Sequence, residues 1–231
     1  MRQTDWARVR ALPLFQHVNE ARFEELMAAA FLQKFPRGVS LLSEGELPDF
    51  LHVIVDGAVE LFAEANGRES TIEIMRPVTT FILAAVIRDE VYLKSARTLT
   101  PAQILMIPAP AVREVFGRDA AFARAVVDEL ALRYRTLVRA LKDQKLRNSG
   151  ERLANWILEA DRQQGGSGHV LLPHDKRTLA SRLGMTPENL SRNLASLAAY
   201  GVTGSGREIV IADREALRRW AKPNPLIDGG A

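Results

Sequence analysis

The sequence predicts an α+β chain with an N-terminal double-stranded β-roll of jelly-roll type, a long helix, and a C-terminal winged helix-turn-helix. Three observations predict it. From about residue 31 the apolar pattern breaks into short β-like runs separated by turns. Residues 123–141 carry apolar side chains in alternating 4-3 spacing. Near the C-terminus two helical stretches meet at a tight turn, and a glycine-turned hairpin follows.

The roll comes first. Residues 11–30 hold short helical stretches, with Phe23, Leu26, Met27 and Ala30 at helical spacing. "LHVIVDGAVELFAE" (51–64) reads as two strands around Asp56-Gly57, and "NGRESTIEIM" opens with Asn66-Gly67, a strong two-residue hairpin signal. "KSARTLT" and "QILMIP" follow, separated by Pro101, and Pro108 and Pro110 end the region. Residues 1–110 are therefore expected to form one β-roll domain.

A helical pattern runs over 111–146, interrupted near Gly117. Ala123, Val127, Leu130, Tyr134, Leu137 and Leu141 form a heptad seam of nearly three repeats, flanked by Arg133, Arg135, Arg139, Lys142 and Asp143. A seam that narrow favours a self-pairing helix, with Val127, Leu130, Tyr134, Leu137 and Leu141 as the dimer interface, over a helix packed on its own domain. "RNSG" (147–150) is a candidate hinge, "ERLANWILEA" an amphipathic helix, and "QQGGSGH" (163–169) a flexible loop. The helices "DKRTLASRLG" and "TPENLSRNLASLAAYG" join at Gly184, and "VTGSGREIVIA" makes the hairpin. Asp213 caps "REALRRWA". The third domain is thus 147–222, and 223–231 is expected to be a disordered tail.

Composition narrows the chemistry. The 231 residues include no cysteine, which excludes disulfides, thiolate metal sites and cysteine-held iron–sulfur clusters. There is no apolar leader and no apolar run of membrane-span length, so a soluble, cytoplasmic protein without a membrane partner is expected. The net charge of +3 is unevenly spread: residues 1–144 carry 18 Lys/Arg against 19 Asp/Glu, and residues 145–231 carry 13 against 9. The basic excess lies with the helix pair, as a polyanion partner requires. His169 and His174 fall short of a metal site, and no nucleophile stands beside a base, so no catalytic activity is expected.

In "MTPENLSR" (185–192), Thr186 is an N-cap signal and Pro187 suits the first helical position. Glu188, Ser191 and Arg192 then share one helical face, opposite Leu190, Leu194 and Leu197. In a helix-turn-helix the second helix enters the major groove of double-stranded DNA. Arg192 can donate two hydrogen bonds to guanine, Glu188 can accept from cytosine, and Ser191 can adapt to either. Lys176, Arg177, Arg182 and Arg207 are candidate phosphate contacts, which set register without reading sequence.

Taken in order, roll, long helix and winged helix, the chain resembles the Crp/Fnr transcription regulators over nearly all its length. Glu188-x-x-Ser191-Arg192 resembles the Fnr-type recognition helix, and Arg37-Gly38, Glu44-Gly45 and "DGAVELF" (56–62) resemble the glycine turns of cyclic-nucleotide-binding rolls. The resemblance implies a homodimer on an inverted repeat of TTGAT-like half-sites, with an effector in the roll and RNA polymerase as a partner. Cyclic-nucleotide binders of the family hold the phosphate and ribose with a Gly-Glu pair and an Arg-Ser. Here Leu83 and Ala84 stand for Gly-Glu, and Lys94 for the arginine, with Ser95 and Ala96 retained. The implied effector pocket, Leu83, Ala84, Ala85, Val86, Lys94 and Ser95, is therefore ill suited to a cyclic nucleotide. Two options remain within the family, a haem-based sensor of nitric oxide and a regulator without a small ligand. For haem, the axial candidates are His17, His52 and Tyr92. The alternative outside this reading is a cyclic-nucleotide signalling module that docks protein, which would expose apolar side chains where the second helix exposes Glu188, Ser191 and Arg192.

Overall fold

The computed structural model describes residues 3–229, which divide into two compact units at Arg133/Tyr134. The first contains α1 (Gln3–Arg10), α2 (Glu20–Ala29), β1 (Phe31–Phe35), β2 (Ser40–Leu42), β3 (Phe50–Asp56), β4 (Val59–Ala65), β5 (Arg68–Met75) and β6 (Thr79–Phe81). It continues through α3 (Leu83–Arg88), β7 (Ser95–Thr98), β8 (Ala102–Pro108), α4 (Ala109–Arg118) and the start of α5 (Ala120–Leu146). The strands form two antiparallel four-stranded sheets in the orders β1-β8-β3-β6 and β2-β7-β4-β5. Strand alternation decides what each face buries. Ile54 and Ile104 from the first sheet meet Leu42, Leu61, Met75 and Ala96 from the second, which is the roll interior. Leu51, Val53, Val55, Leu105 and Ile107 face the other way, onto Phe15 of the α1–α2 connection and the helical residues Phe23, Leu26, Val112 and Phe122.

The turns follow from residues that tolerate positive φ. Asn66 and Gly67 both adopt it, as a two-residue hairpin requires. At Gly57, φ is +85°, and a Cβ would collide with the Pro101 carbonyl, so only glycine fits.

The helical break falls at Asp119 rather than at Gly117. Asp119 accepts from the Phe122 amide at 2.8 Å, starting α5, and from the Asn19 amide at 2.9 Å, tying it to the entry of α2. Burial works against its ionisation, but the amides of Phe122, Asn19 and Ala121 outweigh it and hold the carboxyl below its usual range. The helix preceding the break, α4, belongs to the first unit, since Val112 and Val115 lie in its core.

The second unit holds the rest of α5, α6 (Ser149–Gln163), β9 (His169–Leu171), α7 (Lys176–Arg182), α8 (Pro187–Leu197), β10 (Val202–Ser205), β11 (Glu208–Ile211), α9 (Arg214–Ala221) and α10 (Pro225–Asp228). Leu153, Ile157, Leu172, Leu179, Leu190, Leu197 and Leu217 form its core. Asn148 and Glu151 make a reciprocal capping box at 2.9 and 3.0 Å, which begins α6 inside the expected hinge.

Two expectations are corrected here. The loop 163–169 is held rather than free: buried Asp161 accepts from the Gly168 amide at 2.8 Å and pairs with Arg214. The chain beyond it adds a third strand, β9, beside β11 in the order β10-β11-β9. The tail over 223–229 is not disordered, because α10 forms there, capped by Asn224 and bound to Arg147. Residues 230 and 231 lie outside the described residues.

Candidate functional site

α7 begins at Asp175, whose carboxylate accepts from the Thr178 amide at 2.8 Å. α8 begins at Thr186, whose hydroxyl accepts from the Asn189 amide at 3.2 Å, with Pro187 at its first position. Gly184 turns the chain between them at φ +63°, and a Cβ there would meet the Gln144 side-chain oxygen at 2.7 Å. The turn is braced from beneath by Arg152, a buried side chain that donates to the Leu183 carbonyl at 2.9 Å and the Arg147 carbonyl at 2.8 Å. Leu190 and Leu197 seat α8 in the core, each fully buried side chain being worth about 1.5–3 kcal/mol.

Glu188, Ser191 and Arg192 then stand exposed on one face, as their spacing predicts. Glu188 lies in the first turn of α8. Its own amide and the Thr186 hydroxyl, with help from the Arg192 charge, hold its carboxyl below the usual range. The Ser191 hydroxyl donates to the Pro187 carbonyl at 3.0 Å. Arg192 donates to the side-chain oxygen of Asn189. Asn193 reaches off this face to the Ser149 hydroxyl at 3.0 Å, anchoring α8 to α6.

Among the expected phosphate contacts, Lys176, Arg177 and Arg182 lie on or at the end of α7. Arg177 and Arg182 are exposed and Lys176 is half-buried. Arg207 occupies the β10–β11 turn and donates to the Leu172 carbonyl at 2.9 Å. Across that sheet His169 Nδ1 lies 3.1 Å from Glu208.

On α5, Val127, Tyr134, Leu137 and Leu141 are exposed, by 57 to 69%. Leu130 is different, half-buried against the first unit's core. Leu132, Val138 and Leu146 are also exposed apolar positions of α5, outside the expected seam.

The residues expected to line the effector pocket are dispersed. Leu83 and Val86 lie in the core between sheet and helices, Ala85 packs against the roll interior, and Ala84 is exposed. Six residues of helix place these neighbours around its whole circumference, so they line no common wall. Lys94 is half-buried; burial pushes its amine below the usual range, Glu73 offsets part of this, and Arg133 adds to it. Ser95 is occupied, accepting from the Glu44 amide at 3.0 Å. Arg133 of α5 donates to the Thr79 hydroxyl at 2.8 Å and pairs with Glu73 at 3.3 Å.

His52 lies inside the roll, stacked on Phe81 with ring centroids 5.1 Å apart, and its Nδ1 has no hydrogen-bonding partner. Burial pushes its pKa down to about 4, with only partial relief from the Phe50 carbonyl. Tyr92, another expected axial candidate, is buried in the same interior. Burial and the carboxylates of Asp49 and Glu46 push its pKa up to about 12, against a hydrogen bond with the Asp49 backbone. Among the described residues no cluster of three or more His, Cys, Asp or Glu is placed to hold a metal ion, and no helix is long and apolar enough to cross a membrane.

Missed by sequence reasoning were Asn189 and Arg152. An arginine between the apolar positions of α6 was the available signal for Arg152; nothing local signalled Asn189.

Comparison with known proteins bears on both units. Residues 151–220 match the Crp-like helix-turn-helix domain, and residues 32–119 match the cyclic nucleotide-binding domain. The CRP-like cAMP-activated global transcriptional regulator of Mycobacterium tuberculosis is 27% identical over 215 residues, covering 90% of this chain and 96% of that protein. Among solved structures, a regulatory protein from Silicibacter pomeroyi DSS-3 is 29% identical, with a TM-score of 0.60 over 96% of this chain and 100% of that one. FixK2 from Bradyrhizobium japonicum, 23% identical, shares the fold with a TM-score of 0.70 over 82% of this chain and 96% of its own.

Proposed function

The chain belongs to the Crp/Fnr superfamily of transcription regulators, and from that premise we propose that it works as a homodimer on an inverted repeat of TTGAT-like half-sites. The observation that carries this reading is the outward face of α8, where Glu188, Ser191 and Arg192 stand together and no large apolar side chain is exposed. A helix that docked on protein would show the reverse pattern. Arg192 and Glu188 read base edges in the major groove, with Ser191 between them. Lys176, Arg177, Arg182 and Arg207 neutralise phosphates. Pairing of two α5 helices through Val127, Tyr134, Leu137 and Leu141, with Leu130 at the edge, supplies the two-fold symmetry that an inverted repeat demands. RNA polymerase is the partner through which such a regulator acts.

Control of the roll is read as ligand-independent. Leu42, Ile54, Leu61, Phe81, Tyr92 and Ile104 fill the interior, none more than 5% exposed, and a porphyrin has no room there without displacing them. His52 supplies a free ring nitrogen, but to that packed interior. Control by cyclic AMP is the second reading, favoured by the name of the Mycobacterium tuberculosis relative. Against it, Leu83 is committed to the core and Ala84 offers no carboxylate for a ribose hydroxyl.

Fluorescence anisotropy at fixed near-physiological salt tests the reading, comparing an inverted TTGAT-type duplex with a scrambled one. The ligand-free protein should prefer the repeat by roughly a thousandfold or more. Selectivity that appears only with cyclic AMP, or only with haem and nitric oxide, would overturn ligand independence and name the signal. Absence of selectivity under all three conditions would overturn the half-site assignment.

A further inference from the structure

Arg192 has two neighbours of opposite consequence. Glu188 lies four residues before it, the spacing at which a helical glutamate and arginine ordinarily pair. Asn189 lies three residues before it and is the group that actually receives the guanidinium. The Glu188 carboxyl is meanwhile kept below its usual range mainly by its own amide and the Thr186 hydroxyl, with the Arg192 charge contributing less. The guanidinium thus spends a hydrogen bond on Asn189 and makes no ion pair with Glu188, whose carboxyl feels only its charge.

We propose that Asn189 is a positioning residue for DNA recognition, holding Arg192 away from Glu188 and aimed outward so that both remain available to bases. The inference rests on the reading of α8 as the recognition helix.

The chemistry of the pair supports the role. A guanidinium has five N–H donors and no acceptor, so the amide atom facing it must be the Asn189 oxygen, and the amide NH2 is turned away from Arg192. One guanidinium N–H spent on Asn189 leaves four, and a bidentate contact to guanine uses two. The tie can therefore persist in the complex. Asn189 is itself well placed to hold still: it lies in the first turn of α8, its amide is capped by Thr186 at 3.2 Å, and it is half-buried while Arg192 is exposed. Holding a long arginine in advance removes part of the ordering cost that binding would otherwise incur.

The test is base-pair discrimination, which a merely structural asparagine would not influence. With the full chain, affinities are measured by anisotropy for the inverted repeat, for all single-base-pair variants of one half-site, and for a scrambled duplex. Asn189→Ala should lower affinity for the repeat by about tenfold and flatten preference at the pair read by Arg192, leaving scrambled-duplex affinity and its salt dependence unchanged. Asn189→Asp keeps an acceptor at the site and should retain the discrimination pattern while weakening all duplexes together. Glu188→Gln in the Asn189→Ala background removes the competing carboxylate and should restore preference at the Arg192 pair.

Equal weakening of all duplexes by Asn189→Ala would make Asn189 a backbone contact and overturn the proposal. So would an unchanged pattern alongside a loss of discrimination in Arg192→Ala. If Arg192→Ala changes nothing either, the fault lies with the reading of α8.

Discussion

Arg147 and Asp228, 81 positions apart, form a two-pronged ion pair with nitrogen–oxygen distances of 2.6 and 2.7 Å. The Arg147 side chain is 7% exposed, also reaches Asp143 at 3.0 Å, and its backbone carbonyl accepts from Arg152. Arg152 in turn holds the turn before α8 through Leu183. A short C-terminal helix is thereby fastened to the residues that join α5 to α6, and through them to the turn before α8.

Asp228→Ala should therefore destabilise the second unit by about 1–2 kcal/mol, between the values for exposed and buried pairs. Burial pushes the Asp228 carboxyl up, but hydrogen bonds from Arg147 and the Asn224 amide outweigh it, and the net shift is downward. A carboxyl whose native pKa is depressed stabilises the fold above its unfolded value, near 4, and the contribution disappears as pH falls through the native value. Urea melts at pH 7 and below pH 4 should show the wild type converging on Asp228→Ala in acid. A constant gap would exclude the ion pair as the cause.

His52 makes the opposite chemical type behave with the same sign. Its native pKa is about 4 against an ordinary value of 6.5, because burial disfavours the imidazolium. Between those values the unfolded chain binds the extra proton, so stability of the first unit falls as pH is lowered from 6.5 to 4, by up to about 3 kcal/mol. His52→Phe should keep the ring contact with Phe81 and flatten that segment of the pH–stability curve. Identical slopes for the two proteins would show that His52 stays accessible to protons in the fold.

Much of this architecture is legible locally. Asn66-Gly67 and Asp56-Gly57 mark hairpins because their backbone demands are met within two residues. Thr186-Pro187 marks α8 for the same reason. What escapes is set by distant partners. Asp119 ends one helix and starts the next because Asn19, 100 positions away, also needs an acceptor. The tail orders because of Arg147. Leu83 and Val86 look like neighbours of Ala84 and Ala85 in the sequence, yet a single helical turn sends the pairs to different surroundings. The face of α8 was legible from spacing, but not the hydrogen bond by which Asn189 receives the Arg192 guanidinium.

In the second sheet, Glu60 is almost wholly buried and bound to Arg97 at 2.8 Å and the Thr71 hydroxyl at 2.5 Å, while Arg97 forks onto Glu69 at 2.6 and 2.8 Å and covers Phe62. Arg97→Met keeps the stem but abandons a buried carboxylate, and should cost about 2–3 kcal/mol. Adding Glu60→Gln should recover part of it. A loss that Glu60→Gln does not relieve would point to packing on Phe62 as the larger contribution.

Tyr134 and Leu137 are exposed by 69 and 57% on the 27-residue helix α5. Apolar groups that large gain from burial in a partner, and a carboxylate in the middle of such a contact opposes it strongly. The double substitution Tyr134→Glu with Leu137→Glu should give monomers by light scattering and lose the preference for an inverted repeat over a single half-site. A dimer that survives would place the two-fold axis off this face.

Arg192→Ala separates reading from attraction. A bidentate arginine–guanine contact is worth about 1–3 kcal/mol of discrimination, so the variant should bind the repeat about 5- to 150-fold more weakly and lose preference at one base pair per half-site. Affinity for a scrambled duplex rests on phosphate neutralisation and should fall little, since the arginines and lysine of α7 and the β10–β11 turn remain. Replacing Arg177 by Ala should do the converse, weakening all duplexes alike and reducing the salt slope by about one. The pair of variants is diagnostic because one removes the exposed guanidinium of α8 proposed to read bases and the other an exposed charge on α7. If both weaken specific and scrambled duplexes equally, α8 does not lie in the major groove with Arg192 at the base edges.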